Sequence, residues 1–202
     1  LLVALRPKAS IVIPEELLRE VDAVHPPPHP LLVEIEGRSD RDRLPLVSRV
    51  TGRFLATLVT AMQANRILEV GTGYGYSTLW MALAQPSAGR IWTIDPDLTR
   101  TDIARSYFRR AAEDDYIEVI NTPALELLEN FPHRNLDVVF VDANKSEYPR
   151  YLELVVPMLK LSGVVIFDDC LAIPEFARHF LAQPALDATI LPLGIGIGAR
   201  RQ

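Results

Sequence analysis

The chain is poor in cysteine, has no long apolar run and shows no clustered histidines. Its single cysteine, Cys170, excludes an internal disulfide and predicts a reducing, cytoplasmic setting. No apolar stretch reaches membrane-spanning length, so no membrane partner is expected. The opening Leu1 to Leu5 is too short for a signal peptide and has Arg6 and Lys8 on the wrong side. The chain does not open on methionine, so its natural start stays open. None of His25, His29, His133 and His179 has metal-ligand spacing, and no role falls to them. Positive charge is also short: 21 Lys and Arg against 26 Asp and Glu leave a net −5, which weighs against a broad nucleic-acid footprint. What is present is a chain of 202 residues, 49% hydrophobic, enough for one well-cored domain.

The stretch from Arg66 to Ser77 organises the rest. Ile67, Leu68 and Val70 suit a short buried strand, and Gly71, Gly73 and Gly75 follow at alternate positions. An apolar segment of helix length, Leu79 to Ala84, comes next. Strand, glycine turn and helix open a nucleotide-binding α/β unit, in which backbone N–H groups approach a ligand. Glu69 would repel a dinucleotide pyrophosphate but suits a ligand bearing an amino group or sulfonium. Tyr76 also stands where a dinucleotide fingerprint needs its third glycine. These two residues favour S-adenosylmethionine over a nicotinamide cofactor.

Upstream, the spacing predicts a helix from Pro14 to about Val24 and a stiff connector from His25 to Pro30. It predicts an exposed loop from Glu34 to Arg43, then a helix capped by Ser48 with Phe54, Leu55, Leu58, Val59 and Met62 on one face. Residues 1–44 are thus an N-terminal helix and connector, and 45–202 a single catalytic domain. Downstream, strands 90–95, 116–120, 136–142 and 163–168 alternate with helices, and a strand pair closes the chain at 188–193 and 195–200. This pattern predicts a doubly wound, Rossmann-like α/β fold, mostly parallel, with an antiparallel C-terminal strand.

In such sheets ligands bind beyond the carboxyl ends of the strands. Asp95, about 20 residues after the glycine turn, suits a ribose diol. Asp142, Asp168 and Asp169 end two further strands, and three neighbouring carboxylates need protons or a cation. All-oxygen ligation selects Mg²⁺, with Mn²⁺ or Ca²⁺ as alternatives. Lys145, just past Asp142, is placed to act as a general base, its pKa lowered by burial or by the metal.

These motifs, with Thr93 to Asp95, Thr122 to Ala124, Phe140 to Tyr148, Gly163 to Asp169 and Leu191 to Gly194, give a chain that resembles the cation-dependent O-methyltransferases, the catechol and caffeoyl-CoA type. The resemblance runs from about Pro45 to the C-terminus. It implies that Glu69, Gly71, Thr72, Gly73 and Ser77 contact the cofactor, together with Asp142. Asp95 would hold the ribose and Ala124 would lie by the adenine. By the same resemblance Asp142, Asp168 and Asp169 bind the metal, Lys145 deprotonates a small hydroxyl acceptor with Asp142 beside it, and the protein is a homodimer. Three departures stand out: Asp169 replaces the usual Asn, Cys170 to Pro174 replace a Trp-x-Gly segment, and Ile195 replaces an acid. The last two predict changes around the acceptor. Two alternatives remain open: a hydroxylated tRNA base as acceptor, or a cofactor-binding protein without transferase activity.

Overall fold

The structure, a computed structural model, describes residues 14–201, so the expectation for Leu1 to Lys8 lies outside the described residues. Three helices come first: α1 (Glu15–Ala23), α2 (Pro30–Asp42) and α3 (Arg49–Met62). Alternation follows as expected: β1 (Arg66–Val70), α4 (Tyr76–Ala82), β2 (Arg90–Ile94), α5 (Leu98–Arg110), β3 (Ile117–Ile120), α6 (Ala124–Glu129) and β4 (Leu136–Val141). The chain ends with α7 (Tyr148–Val155), β5 (Leu159–Phe167), α8 (Pro174–Leu181), β6 (Leu186–Ile190) and β7 (Gly196–Arg200). The seven strands run in the order β3-β2-β1-β4-β5-β7-β6, and only β7 pairs antiparallel. Among the described residues, no helix is long and apolar enough to cross a membrane.

The central strands read as continuous apolar runs because both faces are covered. Ile67, Val138, Phe140 and Ile166 face one core with α2, α3, α4 and α5, while Leu68, Val139, Val141 and Phe167 face the other with α6, α7 and α8. Chain order reverses between β1 and β4, since β1 to β3 run one way and β4 starts on the other side of β1. That switch point is where α/β sheets place ligands.

Two expectations need correction. Residues 34–43 are not an exposed loop but most of α2, which starts on Pro30 with the His29 ring accepting from Leu31 N. Its buried stripe is Leu31, Leu32, Ile35 and Ser39, so a serine continues a face that apolar patterning alone misses. Strand β5 starts at Leu159 rather than Gly163. Its register shifts between Leu136 and Val138, with Ser162 at φ 63°, which reads as a turn in sequence. By contrast Ser48 caps α3 as expected, accepting from Thr51 N at 3.1 Å.

Asp137, buried in β4, binds the strand starts together. Its Oδ2 accepts the N–H groups of Asn65 and Arg66, each at 2.8 Å, and its Oδ1 meets Lys160 Nζ at 2.5 Å. Burial alone would raise its pKa, but Lys160 and the two N–H groups outweigh it and hold it below the usual aspartate value. The folded pKa is depressed, so its stabilisation is present above the unfolded value and lost as pH falls through the folded one. Asp137→Ala should therefore cost about 1–3 kcal/mol near neutral pH. Urea denaturation should show the gap from wild type shrinking in acid; a gap that is independent of pH would remove the charge argument.

Candidate active site

At the carboxyl ends of β1, β2, β4 and β5 a single large cavity of about 1060 Å³ opens. One end is built by the glycine turn. Gly71 has φ 106°, and a side chain there would meet the Asp142 carbonyl at 2.1 Å, so only glycine lets β1 and β4 come this close. Asp95 fixes the turn from β2: its Oδ2 accepts from Gly73 N and its Oδ1 from Asp97 N, both at 2.9 Å. Of the candidate cofactor residues, Gly71, Thr72, Gly73, Ser77, Asp95, Ala124 and Asp142 all line the cavity.

Glu69 stands apart from them. It is fully buried and does not line the cavity. Its carboxylate accepts from Ser77 at 2.6 Å, from Thr93 at 2.5 Å and from Thr78. Thr72 completes the chain by meeting Thr93 at 2.7 Å. Burial pushes the Glu69 pKa up to about 7 against the pull of these hydroxyls. Glu69 thus holds Ser77 directly, and Thr72 through Thr93, in the cavity wall.

The acids begin beside the turn, where Asp142 meets Val70 and Gly71. Asp142, Asp168 and Asp169 each offer a carboxylate oxygen within 4.8 Å of the others. Asp169 has φ 54° and ψ 28°, a left-handed conformation that Asp and Asn tolerate better than most side chains. Burial, reinforced by Asp142 and Asp169, pushes the Asp168 pKa up to about 7. Lys145 Nζ donates to Asp142 Oδ1 at 2.6 Å and to the Tyr148 hydroxyl at 2.7 Å, and lies 3.4 Å from Asp169. Burial pulls the Lys145 pKa down, as anticipated, but the neighbouring carboxylates outweigh it and the net shift is upward. Lys145 is therefore an ammonium in this state.

Sequence patterning did not single out Glu147 or Tyr151 as cavity residues, yet both line it, as do Tyr76 of the glycine turn and Leu171 of the Cys170 to Pro174 segment. Tyr151 donates to Glu147, a contact four residues apart on one helical turn that an i, i+4 scan would have flagged. Ile195, expected at the acceptor, is instead fully buried in the core. Cys170 is buried as well, and its backbone N–H donates to the Gly194 carbonyl at 2.7 Å.

A glycine turn and an acid cluster share one cavity at the switch point, the place where an α/β sheet holds its ligand. Comparison with known proteins gives the family. Residues 29–196 match the O-methyltransferase family model, and the chain belongs to that family. It is 33% identical over 179 residues to a catechol O-methyltransferase of Mycobacterium tuberculosis, covering 80% of this chain and 81% of that protein. It is 38% identical over 124 residues to a caffeoyl-CoA O-methyltransferase of Populus kitakamiensis, covering 59% and 53%. Among solved structures, the O-methyltransferase from Bacillus cereus in complex with SAH superposes with TM-score 0.79 at 29% identity, over 92% of this chain and 97% of that one.

The Gly71 contact makes a direct prediction. Gly71→Ala adds a Cβ against backbone and strains a positive φ, so it should cost about 2–3 kcal/mol and lower Tm by roughly 4–12 °C. Thermal melting decides it; a melt coincident with wild type would mean that β1 and β4 are not in close contact here.

Proposed function

We propose that this chain transfers the methyl group of S-adenosylmethionine to a hydroxyl of a small acceptor with vicinal oxygens, of the catechol kind. A divalent cation, Mg²⁺ before Mn²⁺ or Ca²⁺, would be held by Asp142, Asp168 and Asp169. The observation carrying this reading is that one cavity holds both the glycine turn with Asp95 and the three acids with Lys145.

The residues fit both groups. Three carboxylates, each offering an oxygen within 4.8 Å of the others, are an all-oxygen donor set of the kind a hard divalent cation takes. Each Asp95 oxygen receives one N–H, which leaves lone pairs for a ribose diol. The cofactor brings an electrophilic methyl on sulfonium; the cation acidifies and orients the acceptor hydroxyl.

The chain's own groups do the rest. Glu69 holds Ser77 in place on the cofactor side. Lys145 would take the acceptor proton as a neutral amine, its own ammonium proton having gone to solvent. Asp142 and Asp169 favour the ammonium, and a cation held by them would weaken that hold. Leu171 and Leu193 give the cavity apolar wall that limits water at the reacting oxygen. A tRNA acceptor gains no support, since the only cations among the described lining residues are Arg100 and Lys145.

Three measurements test this. Wild type with S-adenosylmethionine, Mg²⁺ and a catechol panel should form methyl ethers, and chelator should stop it. Lys145→Ala should lose about 10²–10⁴-fold in turnover while keeping cofactor affinity by calorimetry. Divalent cation should also raise Tm in a concentration-dependent way. Melts that superimpose at every Mg²⁺ and Mn²⁺ concentration would overturn the metal site.

A further inference from the structure

The glycine turn is gripped from outside by α2. Tyr74 and Tyr76 flank Gly75, and both hydroxyls end on α2 carboxylates: Tyr74 donates to Asp42 Oδ2 at 2.8 Å and Tyr76 to Glu36 Oε1 at 2.6 Å. Glu36 is itself locked by Arg49 of α3, which donates from Nε at 2.8 Å and from Nη2 at 2.6 Å in a bidentate pair. Arg49 also reaches Asp22 of α1 at 2.6 Å. Tyr74 carries Arg38 over its ring, 5.6 Å from the centroid. Both tyrosines are buried, and Tyr76 lines the cavity while leading into α4.

The physical need for this grip is plain. Gly71, Gly73 and Gly75 all sit at positive φ, and glycines lose the most conformational freedom on ordering. A turn built from three of them is adaptable but soft. Its inner side is held by Asp95 through Gly73 N and by the Gly75 N–H to Thr72 carbonyl bond of 2.8 Å. On the outer side the two tyrosine hydroxyls are the handles.

We propose that Glu36 and Asp42, with Arg49 behind Glu36, are positioning residues that pre-organise the cofactor turn through Tyr76 and Tyr74. They act before the cofactor arrives, so they set its affinity rather than the rate of methyl transfer. This rests on the function proposed above.

The test removes the handles without removing the rings. Tyr76→Phe and Tyr74→Phe should each raise the calorimetric Kd for S-adenosylmethionine, together by about ten- to a hundredfold. The acceptor KM and the turnover at saturating cofactor should stay within about twofold, a split that mere loss of folded protein does not produce. In a double-mutant cycle, Glu36→Gln and Tyr76→Phe should not add, because both break the same link. Glu34→Gln is the control: Glu34 lies on the same helix but pairs with the exposed Arg110 at 2.8 Å, so its Kd should not move. Unchanged Kd in both tyrosine variants, additive effects in the cycle, or an equal shift in Glu34→Gln would overturn the positioning role. Failure of the wild type itself to bind S-adenosylmethionine would instead overturn the proposed function, and this inference with it.

Discussion

The close approach of β1 and β4 at their carboxyl ends is the constraint on which the site depends. The Asp142 N–H donates to the Val70 carbonyl at 2.9 Å, and Gly71 leaves no space for a side chain against the Asp142 carbonyl. The residue that opens the glycine turn and the residue that opens the acid cluster are thereby in backbone contact. The glycine turn and the three acids share one cavity because these strands touch. Chain reversal between β1 and β4 is what lets loops with unrelated sequences converge there.

Around that contact, charge is managed in two ways. Glu69 is surrounded by hydroxyls, which hydrogen-bond to a carboxylate without bringing a cation into the core. Among the described residues only Lys145 pairs with the acid cluster, and that lysine is shared between Asp142 and Asp169. Glu69 is thus satisfied by the protein itself, while the cluster is not. Stability and chemistry are separated by this difference: the buried acid holds the wall, and the half-exposed acids are left able to take a ligand.

Much of this was legible in the sequence because it is local. An apolar run ending on Gly71 or on Asp142 states where a strand stops, and the strand ends are where the site must be. The misread parts are those decided by contacts far along the chain. Glu36 meets Tyr76 and Asp42 meets Tyr74 across dozens of residues, and neither pairing leaves a periodic trace. The helix carrying both was read as a loop because its charges are what dock it, and because Ser39 occupies a core position. Glu69 shows its position beside the glycine turn in sequence but not the direction of its carboxylate, which faces Ser77, Thr78 and Thr93.

The same distinction reassigns the departures from the usual family pattern. Loss of the acid at Ile195 looks like a change of acceptor site, yet Ile195 is fully enclosed and packs with the core. Its side chain stabilises β7 and the turn before it, and an acid there would need a partner that an apolar core does not provide. Leu171 is different, being about half exposed and on the cavity wall. It sits in the short turn Cys170–Ala172, held on one side by left-handed Asp169 and on the other by the Cys170 N–H bond to Gly194. The backbone that positions the Asp169 carboxylate therefore also positions the leucine. The backbone bonds of this turn do not involve the Leu171 side chain, so a change of residue there alters the cavity wall without removing what holds Asp169.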